Sequence, residues 1–274
     1  MSGIKFLAFS GLLVLVAVIA VGCVAQNTPA QNNTASEQLP ANHQETSAVP
    51  NTLNTSTTAP PQETSPPLLI KSLAVDMGPY DPATNKAGDF VFTRNKLEFD
   101  RLFFDYGFSI PGNSAGAAKV NPQPTFIVPL GTKVHALVDG LVVKVPKLYS
   151  NDYSIHVAKY ANSRFIYETE HVINPLVKVG DVVSAGQVIA TVSDYDTRNT
   201  PGFGLVEIGI LHAKEDGTPG HVCPFLYLDP SIEEDVYTSL RGFYKAWNNY
   251  LGKEVYNESE YTVPGCLTLD ELRG

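Results

Sequence analysis

From residue 130 onward, apolar residues mostly recur with a period of two, the pattern of strands with one buried face. Residues 131–145 alternate through Val134, Ala136 and Val138 and break at Asp139-Gly140, which predicts two strands joined by a tight turn. Residues 153–160 and 164–172 predict a second hairpin, turning at Ala161-Asn162-Ser163. Residues 177–192 place two more short strands around glycine corners, and residues 205–211 supply another. Short strands at this spacing, with no helix between them, imply an all-β barrel or sandwich. The period changes only near the end. Ser231 and Glu234 form a capping box with Ser231 as N-cap, and Tyr237, Leu240, Tyr244, Trp247 and Leu251 follow at helical spacing. This predicts one C-terminal amphipathic helix that packs its aromatic stripe on the barrel. Residues 68–99 are harder to read and are expected to wrap its outside.

The N-terminus has a different pattern. Lys5 precedes an almost unbroken apolar run, residues 6–21, which is short for a membrane span and fits a signal peptide. It ends in Ala20-Val21-Gly22-Cys23, small residues before a cysteine, as in the lipobox of secreted lipoproteins. Residues 1–23 are therefore expected to be a lipoprotein signal with Cys23 as the lipidated residue; an uncleaved anchor helix is the alternative. Either reading puts the rest of the chain outside the cytoplasm, at the outer face of the cytoplasmic membrane. Residues 24–67 are mostly Asn, Thr, Pro, Gln, Ser and Ala, with no Phe, Tyr or Trp and no Lys or Arg. Such a stretch cannot bury enough apolar surface to offset its conformational entropy and is expected to be a disordered tether.

Residues 68–274 suffice for one well-buried domain, a β unit over 68–229 with the helix and tail over 230–274. The net charge of −9 and the absence of a Lys/Arg cluster exclude a nucleic-acid partner. With Cys23 assigned to the anchor, Cys223 and Cys266 are an even pair in an oxidising compartment, either a disulfide or two buried thiols.

Three segments in order carry a family resemblance over about residues 99–228. The first is Pro129-Leu130-Gly131-Thr132-Lys133-Val134-His135-Ala136 with Asp139-Gly140. The second is His171, then Val177-Lys178-Val179-Gly180-Asp181 and Ala185-Gly186-Gln187-Val188-Ile189. The third is the strand 204–210, followed by Cys223-Pro224-Phe225-Leu226-Tyr227-Leu228. Together they resemble the lysostaphin-type (LytM-like) zinc endopeptidases, which implies a barrel-sandwich with a duplicated hybrid motif. The family holds zinc through a His-x-x-x-Asp pair and the second His of His-x-His, leaving a fourth position for an activated water.

In this chain the resemblance places Asp105 and Ser109 at the His-x-x-x-Asp positions and Leu205-Val206-Glu207 at His-x-His. Only His171 keeps a family residue, in a role of catalytic support. Oxygen donors with a neutral hydroxyl suit a hard cation better than zinc, so no cofactor and no peptidase activity are expected. The bland readings stand beside these: Glu207 as a solvated or paired carboxylate, His171 as a hydrogen-bonded structural residue, and His135, His156, His212 and His221 as ordinary strand and loop residues. The expected function is a degenerate, membrane-anchored module that binds or scaffolds a cell-envelope polymer or surface protein, with Tyr106, Tyr153, Tyr167 and Phe203 as groove walls. The alternative is a metal-dependent endopeptidase using Asp105, Glu207 and His171, with zinc as its cofactor. A swinging-arm carrier would need a lysine at a turn tip, which neither Asp139-Gly140 nor Ala161-Asn162-Ser163 provides.

Overall fold

The structure, a computed structural model, describes residues 63–112, 118–195 and 201–273. Cys23 and the signal sequence lie outside the described residues, as does most of the expected tether. Fifteen strands are described: β1 Tyr80–Asp81, β2 Lys86–Ala87, β3 Phe90–Val91, β4 Phe103–Phe104, β5 Ser109–Ile110, β6 Lys119–Val120, β7 Thr125–Pro129 and β8 Lys133–His135. They continue with β9 Gly140–Lys144, β10 Tyr153–Ala158, β11 Phe165–Ile173, β12 Val182–Val183, β13 Val188–Val192, β14 Phe203–Ala213 and β15 Pro219–Val222. One α-helix, α1, spans Glu233–Leu251.

Ten strands form one sheet, whose main path runs β12-β9-β10-β11-β14-β7-β4. The sheet does not close, and the mostly-β architecture with one helix is the expected fold class. The expected β10–β11 hairpin is present and antiparallel, with His156 opposite Glu168 and Val157 opposite Tyr167. The expected hairpin at Asp139-Gly140 is not. β8 pairs with β13, while β9 pairs with β10 and β12. Gly140 is needed for close approach: a Cβ there would lie 2.7 Å from Val157 Cγ1 and 2.9 Å from Ala158 O.

Cross-strand partners share a face, which sorts the central strands into two surfaces. Phe126, Val128, Val206, Ile208, Ile210, Ile155, Val157 and Tyr167 are buried in the core. The opposite face carries Thr125, Glu207, Glu170, Glu168 and His156, which are linked by register. The segment 68–99 belongs to the core rather than its outside, since Ile70, Ala74, Ala87 and Phe90 are fully buried. Phe90 touches both Phe126 of the sheet and Phe243 of α1, at 6.1 and 4.8 Å between ring centroids.

The aromatic stripe on α1 packs as expected, with Leu240, Phe243, Tyr244 and Trp247 buried. Burying a side chain of this size stabilises by roughly 2–3 kcal/mol. The capping box does not form. Ile232 is the N-cap, and Ser231 instead donates its backbone N–H and hydroxyl to Asp229 Oδ1 at 3.0 and 2.6 Å. Glu233, Glu234 and Asp235 in the first turn complement the helix dipole, and Gly252 closes the other end at φ 71°. Cys223 and Cys266 form a disulfide that ties the C-terminal segment to the core.

Candidate functional site

His171 stands at the centre of the site. It lies in the left-handed region, φ 56°, a conformation that costs a non-glycine residue energy and persists only where its surroundings fix it. Its ring stacks on Tyr195, with centroids 4.0 Å apart and planes 5° from parallel. Nδ1 lies 2.9 Å from Asp152 Oδ2, while the other carboxylate oxygen of Asp152 accepts from the Ser150 hydroxyl. Burial pushes the Asp152 carboxyl up, yet hydrogen bonds from Ser150, Ser193 and His171 outweigh it and leave the group below the usual range. An ionised Asp152 fixes the imidazole with Nδ1–H toward it, so Nε2 faces Glu207 Oε2 at 3.8 Å. Glu207 receives a hydrogen bond from Thr125 Oγ1 at 3.2 Å, and burial raises its pKa in spite of the nearby imidazole. Beside it opens a cleft of about 500 Å³, bordered by Lys119, Asn121, Gln123, Leu272 and Arg273.

A second polar cluster lies further along the same face. Glu168 is opposite Gly209 on β14, two residues from Glu207. His221 Nε2 lies 3.1 Å from Glu168 Oε2, Gln123 Nε2 lies 3.5 Å from the same oxygen, and His156 Nε2 lies 3.4 Å from Oε1. Glu170 completes the group: ligand-type atoms of His156, Glu168 and Glu170 all lie within 4.8 Å of one another. Burial pushes His156 down to about 4, so its ring is neutral at physiological pH. His156 and His221, expected to be ordinary strand and loop residues, both meet Glu168. The available signal was alternation, since Ser154 with His156 and Glu168 with Glu170 recur at i, i+2 on paired strands.

The expected ligand positions do not converge. Phe104, Thr125 and Glu207 share one face by register, so Asp105, the next residue, turns to the other. There it is fully buried and accepts from Tyr244 Oη at 2.7 Å, Tyr261 Oη at 3.0 Å and Arg101 Nη1 at 3.2 Å. Burial pushes its pKa up to about 6. Ser109 sits exposed on the two-stranded β5–β6 ribbon, and Leu205 has no donor atom. Zinc at the family's positions would find Glu207 and no adequate second or third donor. These residues do not fit it. The expected groove walls shift as well. Tyr106 and Tyr167 are core residues whose hydroxyls bond backbone at His221 and Leu68, Phe203 is buried, and Tyr153 is half-buried. The aromatic pair over the site is Tyr149 and Tyr195, with hydroxyls 2.8 Å apart.

Residues 124–208 match the model of Peptidase family M23. The chain carries an M23 peptidase-type domain. Its mostly-β sheet with one helix agrees with that family's fold. Similar solved structures include a catalytic-domain mutant of the prophage-encoded M23 protein EnpA from Enterococcus faecalis, 22% identical, covering 44% of this chain and 85% of that one, with TM-score 0.33. Lysostaphin from Staphylococcus simulans is 21% identical over 46% of this chain and 48% of its own, with TM-score 0.35. A zinc-containing peptidase from Vibrio cholerae is 21% identical over 52% and 37%, with TM-score 0.32. No curated protein matches the chain.

Proposed function

We propose that the M23-type domain is a non-catalytic module that binds an extended polymer or surface protein of the cell envelope across its polar sheet face, held there by a lipid anchor at Cys23. The observation that carries this reading is the fate of the ligand positions. Asp105 is committed to Arg101, Tyr244 and Tyr261 on the core side, and Leu205 replaces a donor, while the Asp152–His171–Tyr195 support beside the groove is intact. Without an ion between Glu207 and its expected partners, no hydroxide forms there at neutral pH. The remaining groups suit binding: Lys119 and Arg273 supply positive charge, Asn121 and Gln123 supply amides, and the half-buried Glu207 supplies a carboxylate.

The endopeptidase alternative rests on His171 lying beside Glu207, and it requires Asp105 to leave three hydrogen-bond donors. Incubating the purified full chain with envelope fragments separates the two. Sedimentation with the fragments and no new peptide products by mass spectrometry is expected. Cleavage that disappears in Glu207→Gln while the protein stays folded would overturn the proposal.

A further inference from the structure

We infer that the polar face holds a second, unassigned site for one divalent transition-metal ion, built from His156, Glu168 and Glu170. It is distinct from the family's ligand positions and independent of the binding role proposed above.

The convergence of His156, Glu168 and Glu170, whose ligand-type atoms lie within 4.8 Å of one another, carries this inference. Among the described residues, the side-chain atoms that are buried with no hydrogen-bond partner are Ser154 Oγ, His156 Nδ1 and His221 Nδ1. All three residues belong to β10 or to the histidine pair around Glu168. Unpaired buried polar groups cost about 1–3 kcal/mol each and are rare, so this part of the face is poorly satisfied, although an ion bound through His156 Nε2 would not itself pair these three atoms. His156 is only 9% exposed, and Glu170 lies on the same strand face as Glu168. The 3.4 Å between His156 Nε2 and Glu168 Oε1 is long for a hydrogen bond to a carboxylate, which is usually about 2.7–2.9 Å. It matches the edge of a tetrahedron of donors about 2.0–2.1 Å from a central ion, which is roughly 3.3 Å.

The surroundings orient the donors. His221 and Gln123 both reach Glu168 Oε2, which holds the carboxylate in place and leaves Oε1 turned toward His156. Such bonds to a ligating carboxylate raise metal affinity by fixing the ligand before the ion arrives. Glu170, half-buried, closes the set from the groove side and adds the second negative charge that neutralises a divalent ion. One imidazole nitrogen and two carboxylate oxygens are the donor set of zinc, manganese or ferrous iron rather than of calcium.

The test uses the full chain, purified without chelator or affinity histidines and titrated with Zn²⁺ and with Co²⁺ as a visible-absorption probe. One equivalent of ion is expected in the wild type. Glu170→Gln and His156→Gln should each weaken binding about 100-fold or more, whereas Glu207→Gln and His171→Gln should retain it. Near-ultraviolet circular dichroism reports folding, and the half-buried Glu170→Gln carries the test where His156→Gln fails to fold. Absence of stoichiometric metal in the wild type, binding unchanged in Glu170→Gln, or binding lost in Glu207→Gln but kept in Glu170→Gln would each overturn the inference.

Discussion

Replacing Asp105 by asparagine isolates one buried charge and gives it a measurable sign. The Asp105 carboxyl has no exposure to solvent and is opposed by one guanidinium and two phenol donors. Burial raises its pKa; Tyr244, Arg101 and Tyr261 lower it, and burial wins, leaving the group at about 6 against an ordinary 3.8. The native state therefore binds more protons than the unfolded chain between those two values. Stability falls as pH rises through that window and is level again above it. The gap corresponds to about 3 kcal/mol at roughly 1.4 kcal/mol per pH unit. The assay is urea unfolding from pH 3.5 to 7, followed by fluorescence of Trp247, the single tryptophan, whose indole is buried against Asp100 O. Other titrating groups cancel in the difference between wild type and Asp105→Asn. That difference should decline by about 3 kcal/mol from the acid end to neutrality, with Asp105→Asn relatively more stable at pH 7 than at pH 4. A flat difference, or one that grows in favour of the wild type as pH rises, would show that Arg101 and the two tyrosines outweigh desolvation and would refute the reasoning.

Two further outcomes test how the C-terminal segment is attached. Reducing Cys223–Cys266, which closes a loop of 43 residues, should cost about 4 kcal/mol by loop entropy, read as a lower urea midpoint in the presence of a thiol reductant; an unchanged midpoint would mean that packing of α1 alone fixes the tail. Gly265→Ala should destabilise by about 2 kcal/mol or more, because Gly265 holds φ +87° and a Cβ would lie 2.6 Å from Phe225 Cε2. Thermal unfolding of the variant within a degree of wild type would contradict that packing.

Local patterns survived folding and long-range ones did not, for physical reasons visible at particular residues. The β10–β11 hairpin was legible because its two strands are neighbours in sequence and alternate cleanly. The α1 stripe was legible because Leu240, Tyr244 and Trp247 repeat at 3.6. Asp139-Gly140 carries the same turn signal as a hairpin, yet Gly140 serves close strand packing, and β8 finds its partner more than fifty residues downstream. The capping box failed because Asp229 takes both Ser231 donors. Nothing local links His156 to His221, 65 positions apart; only the β10–β11–β14–β15 register brings both to Glu168.

Asp105, expected at a ligand position, serves packing instead. Its three donors come from Arg101 beside β4, from Tyr244 on α1 and from Tyr261 beyond it, so the residue joins the β sheet to the C-terminal segment. Tyr244 stacks on Tyr256 and on Tyr261, and Arg101 lies over the Tyr256 ring. A side chain held this way cannot also face Glu207 across the sheet. Asp105 is therefore a structural anchor on the face away from Glu207. Glu207 contacts Thr125 and His171, and imidazole and carboxylates also converge elsewhere on β11, at Glu168 and Glu170. The packing of the aromatic helix against the β4 segment holds Asp105 on the core side, while Glu207, Glu170 and Glu168 share the opposite face by register.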